Sequence, residues 1–426
     1  MIALLAAVVL VQGHPEMVVG RNAENELAIV VEGEQPFRLP ASRFVGIEGY
    51  SDGAPGFRSL AEPTPDGKLV PIDPASNIEF VFLGADEGLF VFNDRGTGYM
   101  KPGEVFKVGT PFFDTHPVWN LPKGDSKKTY SLKVRLRDST KKHKDSAEIT
   151  ATFAPDDATA LYACPMRCPG ANITTVPAMC DVCGMRLKLF SAKSYGVRIE
   201  PQTELRAGTE SKLVFHVETP DGKTVPDLEV VHEKLVHLLM VSSDLSWFAH
   251  EHPELQPDGR FTLPFAFPYG GHFTLFNDFT PKSSGMQVVP VELEVAGDVP
   301  DPIPLALTAR TIVVDGYTVT LDLPKPMRSI QTLSLAVTIA REGKPVTDLE
   351  PFLGAMGHLI VIRDDRKQFV HSHPLDGPKG APGSSGPKVV FSAQFAAPGR
   401  YKAWAQFQHK GRVLTTPFVF DVVSAF

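Results

Sequence analysis

The chain repeats itself at a constant spacing, and few sequence features restrict a fold more. Gly222-Lys223, Asp227-Leu228-Glu229, His237, Phe248, His250, His252 and Pro253 recur as Gly343-Lys344, Asp348-Leu349-Glu350, His358, Phe369, His371, His373 and Pro374. Each pair is 121 residues apart, as in 358 − 237 and 373 − 252. A duplicated segment of this length is a domain-sized unit, so two tandem modules of one fold are expected, at 195–297 and 304–425. Past the Gly/Pro/Ser-rich insert Pro378–Pro387 the match resumes, with Gly271-His272-Phe273 against Gly399-Arg400-Tyr401 and Phe279 against Phe407. The offset is now 128 (407 − 279), so the second copy carries a net 7 extra residues (128 − 121), read as a surface loop.

What the duplication keeps is chemically pointed. In the second copy His358-Leu-Ile-Val-Ile reads as a strand, Asp364 to Lys367 as a turn, and Gln368-Phe-Val-His371-Ser-His373 as the returning strand. With an even turn centred between Asp365 and Arg366, opposed residue numbers sum to 731, which sets His358 against His373 and puts His371 on the same face. The first copy gives a sum of 489 and pairs His237 with His252, with His250 on that face. Opposed side chains stand ~5 Å apart at Cβ, a gap that two imidazoles with metal bonds of ~2.0 Å would fill. Three such rings suit Cu(II) or Zn²⁺ and leave a coordination position open. An odd turn would instead leave His237 diagonal to the pair. The competing reading is structural: the rings bond backbone at the end of a sandwich, and the repeat preserves an ancestral strand. His216, His232, His272 and His409 have no counterpart in the other copy and are assigned structural or solvated roles. A blue-copper centre is set aside, because it needs a thiolate and neither repeat contains cysteine.

On these His-Leu and His-x-His-Pro segments, Val225–Phe279 and Val346–Phe407 resemble cupredoxin-type or immunoglobulin-type sandwiches attached to heavy-metal-binding domains in secreted bacterial proteins. The resemblance implies placement near metals.

All four cysteines lie between Tyr162 and Leu187: Cys164 and Cys168 as C-x3-C, then Cys180 and Cys183 as C-x2-C followed by Gly184-Met185. Two close thiol pairs form turns that aim four sulfurs at one point, a tetrahedral site for Zn²⁺ or Cu(I), with the thioethers of Met166 and Met185 nearby. A small structural zinc ribbon, or two disulfides in an exported chain, would use the same residues, since so short a stretch needs a staple. Tyr162-x-Cys164-Pro165-Met166, Pro177 and Cys180-x2-Cys183-Gly184-Met185 resemble the small heavy-metal-binding domain found on copper-transport ATPases and periplasmic efflux adaptors. Where many members carry His after the Cys-Pro-Met block this chain has Arg167, and Cys168 stands in the place of a third cysteine ligand.

The rest of the chain supplies context. Its 38 Pro, 35 Gly and short Val/Thr/Phe-rich runs favour turns and strands over helices. The expected class is mainly β: three β-sandwich (Ig/cupredoxin-like) domains, with the small Cys-rich metal-binding module at 160–190 between the first and second. The first sandwich is placed at 26–155, with strands over Ile78–Leu83, Leu89–Phe92, Ser131–Leu136 and Glu148–Phe153. Lys141-Lys142-His143-Lys144 reads as a solvated hairpin turn, and His116, in Thr115-His116-Pro117-Val118-Trp119, as a core or surface histidine without a role. The apolar run Ile2–Val11 has the length of a signal-peptide core, so 1–13 is expected to be a leader, with no membrane span after its removal. A formal charge of −7 argues against nucleic acid as a partner.

No nucleophile elbow, zincin helix, Walker loop or dinucleotide fingerprint is present, so a non-enzymatic role is expected, a metalloenzyme needing a substrate pocket over a histidine face. The function expected is that of a periplasmic or secreted protein that buffers copper or zinc, hands it on, or confers resistance. Its ligands would be Cys164, Cys168, Cys180 and Cys183 with the two histidine faces, and its partners metal ions and a metal-efflux or metal-delivery protein. The rival is an extracellular interaction or adhesion protein whose cysteine module is a structural clip.

Overall fold

The computed structural model describes residues 15–425 apart from 41, 43, 45–46, 123–127, 157–160, 164–187, 191–194, 202–203, 220–221, 226, 232, 282–286, 373 and 375–384, with backbone alone at 161–163, 188–190 and 201. The expected leader, Cys164, Cys168, Cys180, Cys183, and His373 therefore lie outside the described residues. Every helix or strand among the described residues is a β-strand, and the chain divides into one compact unit over Lys193–Pro304 and another over Pro15–Ala192 with Leu305–Phe426.

The first unit is the first repeat, a two-sheet sandwich. One sheet runs in the order Gly196–Pro201, Glu210–Glu218, Phe261–Ala266, Glu254–Leu255; the other runs Phe248–Glu251, Val236–Ser242, Gly271–Phe279, Gln287–Val295. The alternation that makes Glu210–Glu218 a strand turns Leu213, Phe215 and Val217 inward, where they meet Leu238, Met240, Phe273 and Leu275 from the facing sheet. Each fully buried side chain of this size contributes about 1.5–3 kcal/mol, so the inward rows fix which face each strand presents. His237, Leu239, His250 and His252 consequently share the outer face of the second sheet.

The second repeat, within the other unit, has the same plan. Tyr317–Asp322, Thr332–Arg341 and Lys388–Gln394 answer the first sheet, and Phe369–Ser372, His358–Arg363, Gly399–His409 and Arg412–Val422 follow the order of the second. Strand starts keep the repeat's spacing to within a few residues: Tyr317 stands 121 after Gly196 before the insert (317 − 196), and Gly399 stands 128 after Gly271 beyond it (399 − 271).

The hairpin register is the one an even turn produces. Leu238 pairs with Glu251 and Leu239 with His250, while Leu359 pairs with Ser372 and Ile360 with His371, giving the sums 489 and 731. Both turns hold one residue in the left-handed region at the same repeat position, Leu245 at φ 60° and Arg366 at φ 57°.

The amino-terminal domain starts with the strand Glu16–Arg21, ahead of the Glu26 boundary read from the sequence. Its sheets surround one core that includes Phe57, Phe80, Trp119, Leu132 and Phe153. Within its unit it packs on the second repeat: Phe44, Ile47, Phe92 and Val118 cluster with Ile330, Ala396 and Ala425. In the basic turn the lysines are exposed but His143 is buried, its ring bonding Asp73 N and the Asn25 side chain, so that turn is only partly solvated. On either side of the cysteine stretch, Leu161–Ala163 pairs antiparallel with Lys188–Phe190.

Candidate metal centre

In the first repeat His237, at the start of its strand, is 3% exposed, and its Nε2 lies 3.0 Å from the Val231 carbonyl. A carbonyl only accepts, so Nε2 carries the hydrogen and Nδ1 presents its lone pair. Around that one lone pair the hairpin gathers two further rings: His250 Nε2 at 3.3 Å and His252 Nε2 at 3.2 Å. A single lone pair accepts one linear hydrogen bond, and two ring nitrogens converge on it. Ligands on ~2.0 Å bonds around a tetrahedral ion stand about 3.3 Å apart, which is the spacing seen here. The three ligand atoms all lie within 4.8 Å of one another. The trio could therefore hold a borderline ion, with the Val231 carbonyl placed as the acceptor for the other ring nitrogen of a ligating histidine would be.

The second repeat reproduces what can be described of this arrangement. His358 is fully buried, its Nε2 is 2.8 Å from the Phe352 carbonyl, and its Nδ1 is 3.3 Å from His371 Nε2. Phe352 stands 121 residues after Val231, so the orienting acceptor is duplicated along with the ring it holds.

Sequence reasoning did not single out the residue beside each ring. On the neighbouring strand Asp278, 7% exposed, sits directly opposite His237, whereas Gln406 sits opposite His358. The signal was present in the repeat, where Asp278 aligns with Gln406 (406 − 278 = 128) one residue before the matched pair Phe279 and Phe407.

The other histidines divide as structural groups. His409 is buried between the Tyr317 hydroxyl and Asp348, and His216 pairs with Glu200. His116, given no role above, instead forms a second group of potential ligands with Glu16 and Asp114. Burial alone would depress its ring, but Asp114 beside it, then Glu16 and the Gly53 carbonyl, hold it up at about 10. Aspartate and histidine two apart in sequence were the local signal; Glu16, 98 residues before Asp114, was not legible (114 − 16).

With this geometry in place, the chain belongs to the family defined by a domain of unknown function (DUF8832), whose profile matches residues 191–297 and 312–424, one stretch in each repeat. No curated protein matches it. Solved structures with similar chain paths include a protein of Corynebacterium diphtheriae described as membrane anchored (8% identity, 82% of this chain and 82% of that chain, TM-score 0.18). Others are invasin, a bacterial integrin-binding protein (8%, 83% and 54%, 0.16), and a Bacteroides ovatus protein of a mixed-linkage glucan utilization locus, in complex with a heptasaccharide (9%, 83% and 65%, 0.12). Likenesses this loose carry no assignment. Among the described residues no helix is long and apolar enough to cross a membrane.

Proposed function

We propose that the chain binds Cu(II) or Zn²⁺ through His237, His250 and His252. His358, His371 and His373 form a second such site, and Cys164, Cys168, Cys180 and Cys183 a thiolate site for Cu(I) or Zn²⁺. The protein buffers these ions outside the cytoplasm or hands them to an efflux or delivery partner. The observation that carries this reading is the convergence of two Nε2 atoms, at 3.2 and 3.3 Å, on the single Nδ1 lone pair of His237. Asp278, paired with His237 across the sheet, puts a carboxylate on the strand beside the trio. The leader-like amino terminus and the cysteine spacing support an exported location and a soft second donor set.

Elemental analysis of three purified chains tests the proposal: the native chain, Cys180→Ser/Cys183→Ser, and His237→Ala/His250→Ala/His252→Ala. Each variant is expected to lose the ion of its own site. Equal metal content in all three would overturn the reading and leave the sandwiches as an interaction scaffold.

A further inference from the structure

We infer that Glu16, Asp114 and His116 form a separate divalent-cation site, with one nitrogen and two carboxylate oxygens as donors, where the amino-terminal sandwich meets the second repeat. Glu16 opens the first strand and is fully buried, and its ligand atom, one from Asp114 and one from His116 lie within 4.8 Å of one another. The side chains of Asp114 and His116 keep 19% and 20% of their surface, a route by which an ion can enter.

The strands explain how three residues so far apart in sequence come to face one point. Glu16 pairs with Gly56 on the parallel neighbour Gly56–Ser59, and that strand pairs in turn with Asp114–Thr115, matching Arg58 with Asp114 and Phe57 with Thr115. One rung further, Gly56 stands between Glu16 and His116. A Cβ on Gly56 would lie 2.6 Å from His116 Cε1, 2.7 Å from its Nδ1 and 2.9 Å from Glu16 Oε2. The missing side chain lets the imidazole lie across the middle strand and reach the carboxylate.

The ring is oriented as a ligand would be. Its Nδ1 lies 3.1 Å from the Gly53 carbonyl and its Nε2 3.0 Å from Asp114 Oδ1, so each nitrogen donates to an acceptor, and an ion bound at Nε2 would take the place of the hydrogen that now bridges to Asp114. A divalent ion would replace the proton between His116 and Asp114 and bring two positive charges to the two carboxylates, with one imidazole nitrogen completing the donor set. The donor set has no sulfur and two hard oxygens, so it suits Mn²⁺ or Zn²⁺ rather than Cu(I).

The location gives the ion a consequence. The backbone bearing the ligands is tied to the second repeat: Ser392 Oγ donates to Asp114 O at 2.9 Å, and Thr332 Oγ1 and Gln394 Nε2 donate to His116 O at 2.9 and 3.0 Å. An ion fixing Asp114 and His116 against Glu16 therefore fastens the strand on which the second repeat rests.

Mn²⁺ is the discriminating probe, because imidazole and thiolate clusters disfavour it. In the full native chain, Mn²⁺ below one equivalent is expected to broaden the His116 ring resonances, and electron paramagnetic resonance to show about one bound ion, with binding at least about tenfold weaker in Glu16→Gln and in Gly56→Ala. The His237→Ala/His250→Ala/His252→Ala chain should retain this ion, which separates the inference from the histidine-trio reading. Sharp His116 signals at one equivalent of Mn²⁺ in the native chain, a measurement that needs no variant, would overturn it. So would a folded Glu16→Gln chain that holds Mn²⁺ as tightly as the native one.

Discussion

In the first repeat the strand beside the histidine hairpin places Asp278 opposite His237, and in the second the same position holds Gln406 opposite His358. The central ring, the ring of His250 or His371, the carbonyl acceptor and the turn geometry are shared; the charge of the residue opposite the central ring is not. Hydrogen-bond geometry is copied with the backbone when a module duplicates, but charge rides on single side chains and drifts independently. Gln406 donates its Nε2 to Thr415 Oγ1 at 3.1 Å and, being neutral, brings no formal negative charge to that position. The first site is thus expected to hold an ion more tightly than the second.

The largest effect should come from the central ring. His237→Ala removes the atom around which the others gather and is expected to weaken binding in the first repeat by at least about 100-fold while leaving the second unchanged; His358→Ala should do the converse. Calorimetric titration with Zn²⁺ reads both, and equal weakening at both sites after one substitution would break the picture of independent centres. Next is the charge difference itself. Asp278→Asn should lower affinity in the first repeat about tenfold and Gln406→Asp raise it in the second by a similar factor. If the two substitutions leave the sites as unequal as before, Asp278 is not the cause.

Acid provides a third contrast, in the turns. Burial would raise the Asp244 carboxyl, but bonds from Ile303 N, the Ser242 hydroxyl, and Ser246 N and hydroxyl hold it at about 2, below its ordinary 3.8. A depressed folded value contributes stability that is complete above about pH 4 and disappears as the pH falls through about 2. Thermal unfolding of the first repeat should show that loss, and Asp244→Asn should flatten it. The smallest effect concerns the left-handed turn position. Arg366→Gly relieves a φ of 57° at some cost in chain entropy, for a net gain of about 0.5 kcal/mol in unfolding free energy, read as a higher urea midpoint.

The histidine hairpins were legible because their information is local: a period-two strand, an even turn and a second copy fix which side chains meet. The acceptors at Val231 and Phe352 were not, since a carbonyl six residues upstream carries no residue-type signal. The Glu16, Asp114 and His116 group was hidden for a different reason. It depends on a parallel pairing between Glu16–Arg21 and Gly56–Ser59 and on a glycine in the middle strand, none of which periodicity reveals. The β class followed from turn residues and alternation, whereas the docking of the amino-terminal domain on the second repeat rests on long-range contacts such as Thr332 with His116.

The short ladder that ends with Ala163 opposite Lys188 also bears on how such a protein can be rebuilt. Because the polypeptide leaves and re-enters through adjacent rungs, whatever lies between can be exchanged like a cartridge, by recombination or by an engineer, without rethreading the strands on either side. A donor set of different softness grafted at those two positions would test the proposed thiolate site while leaving the scaffold's order of assembly intact.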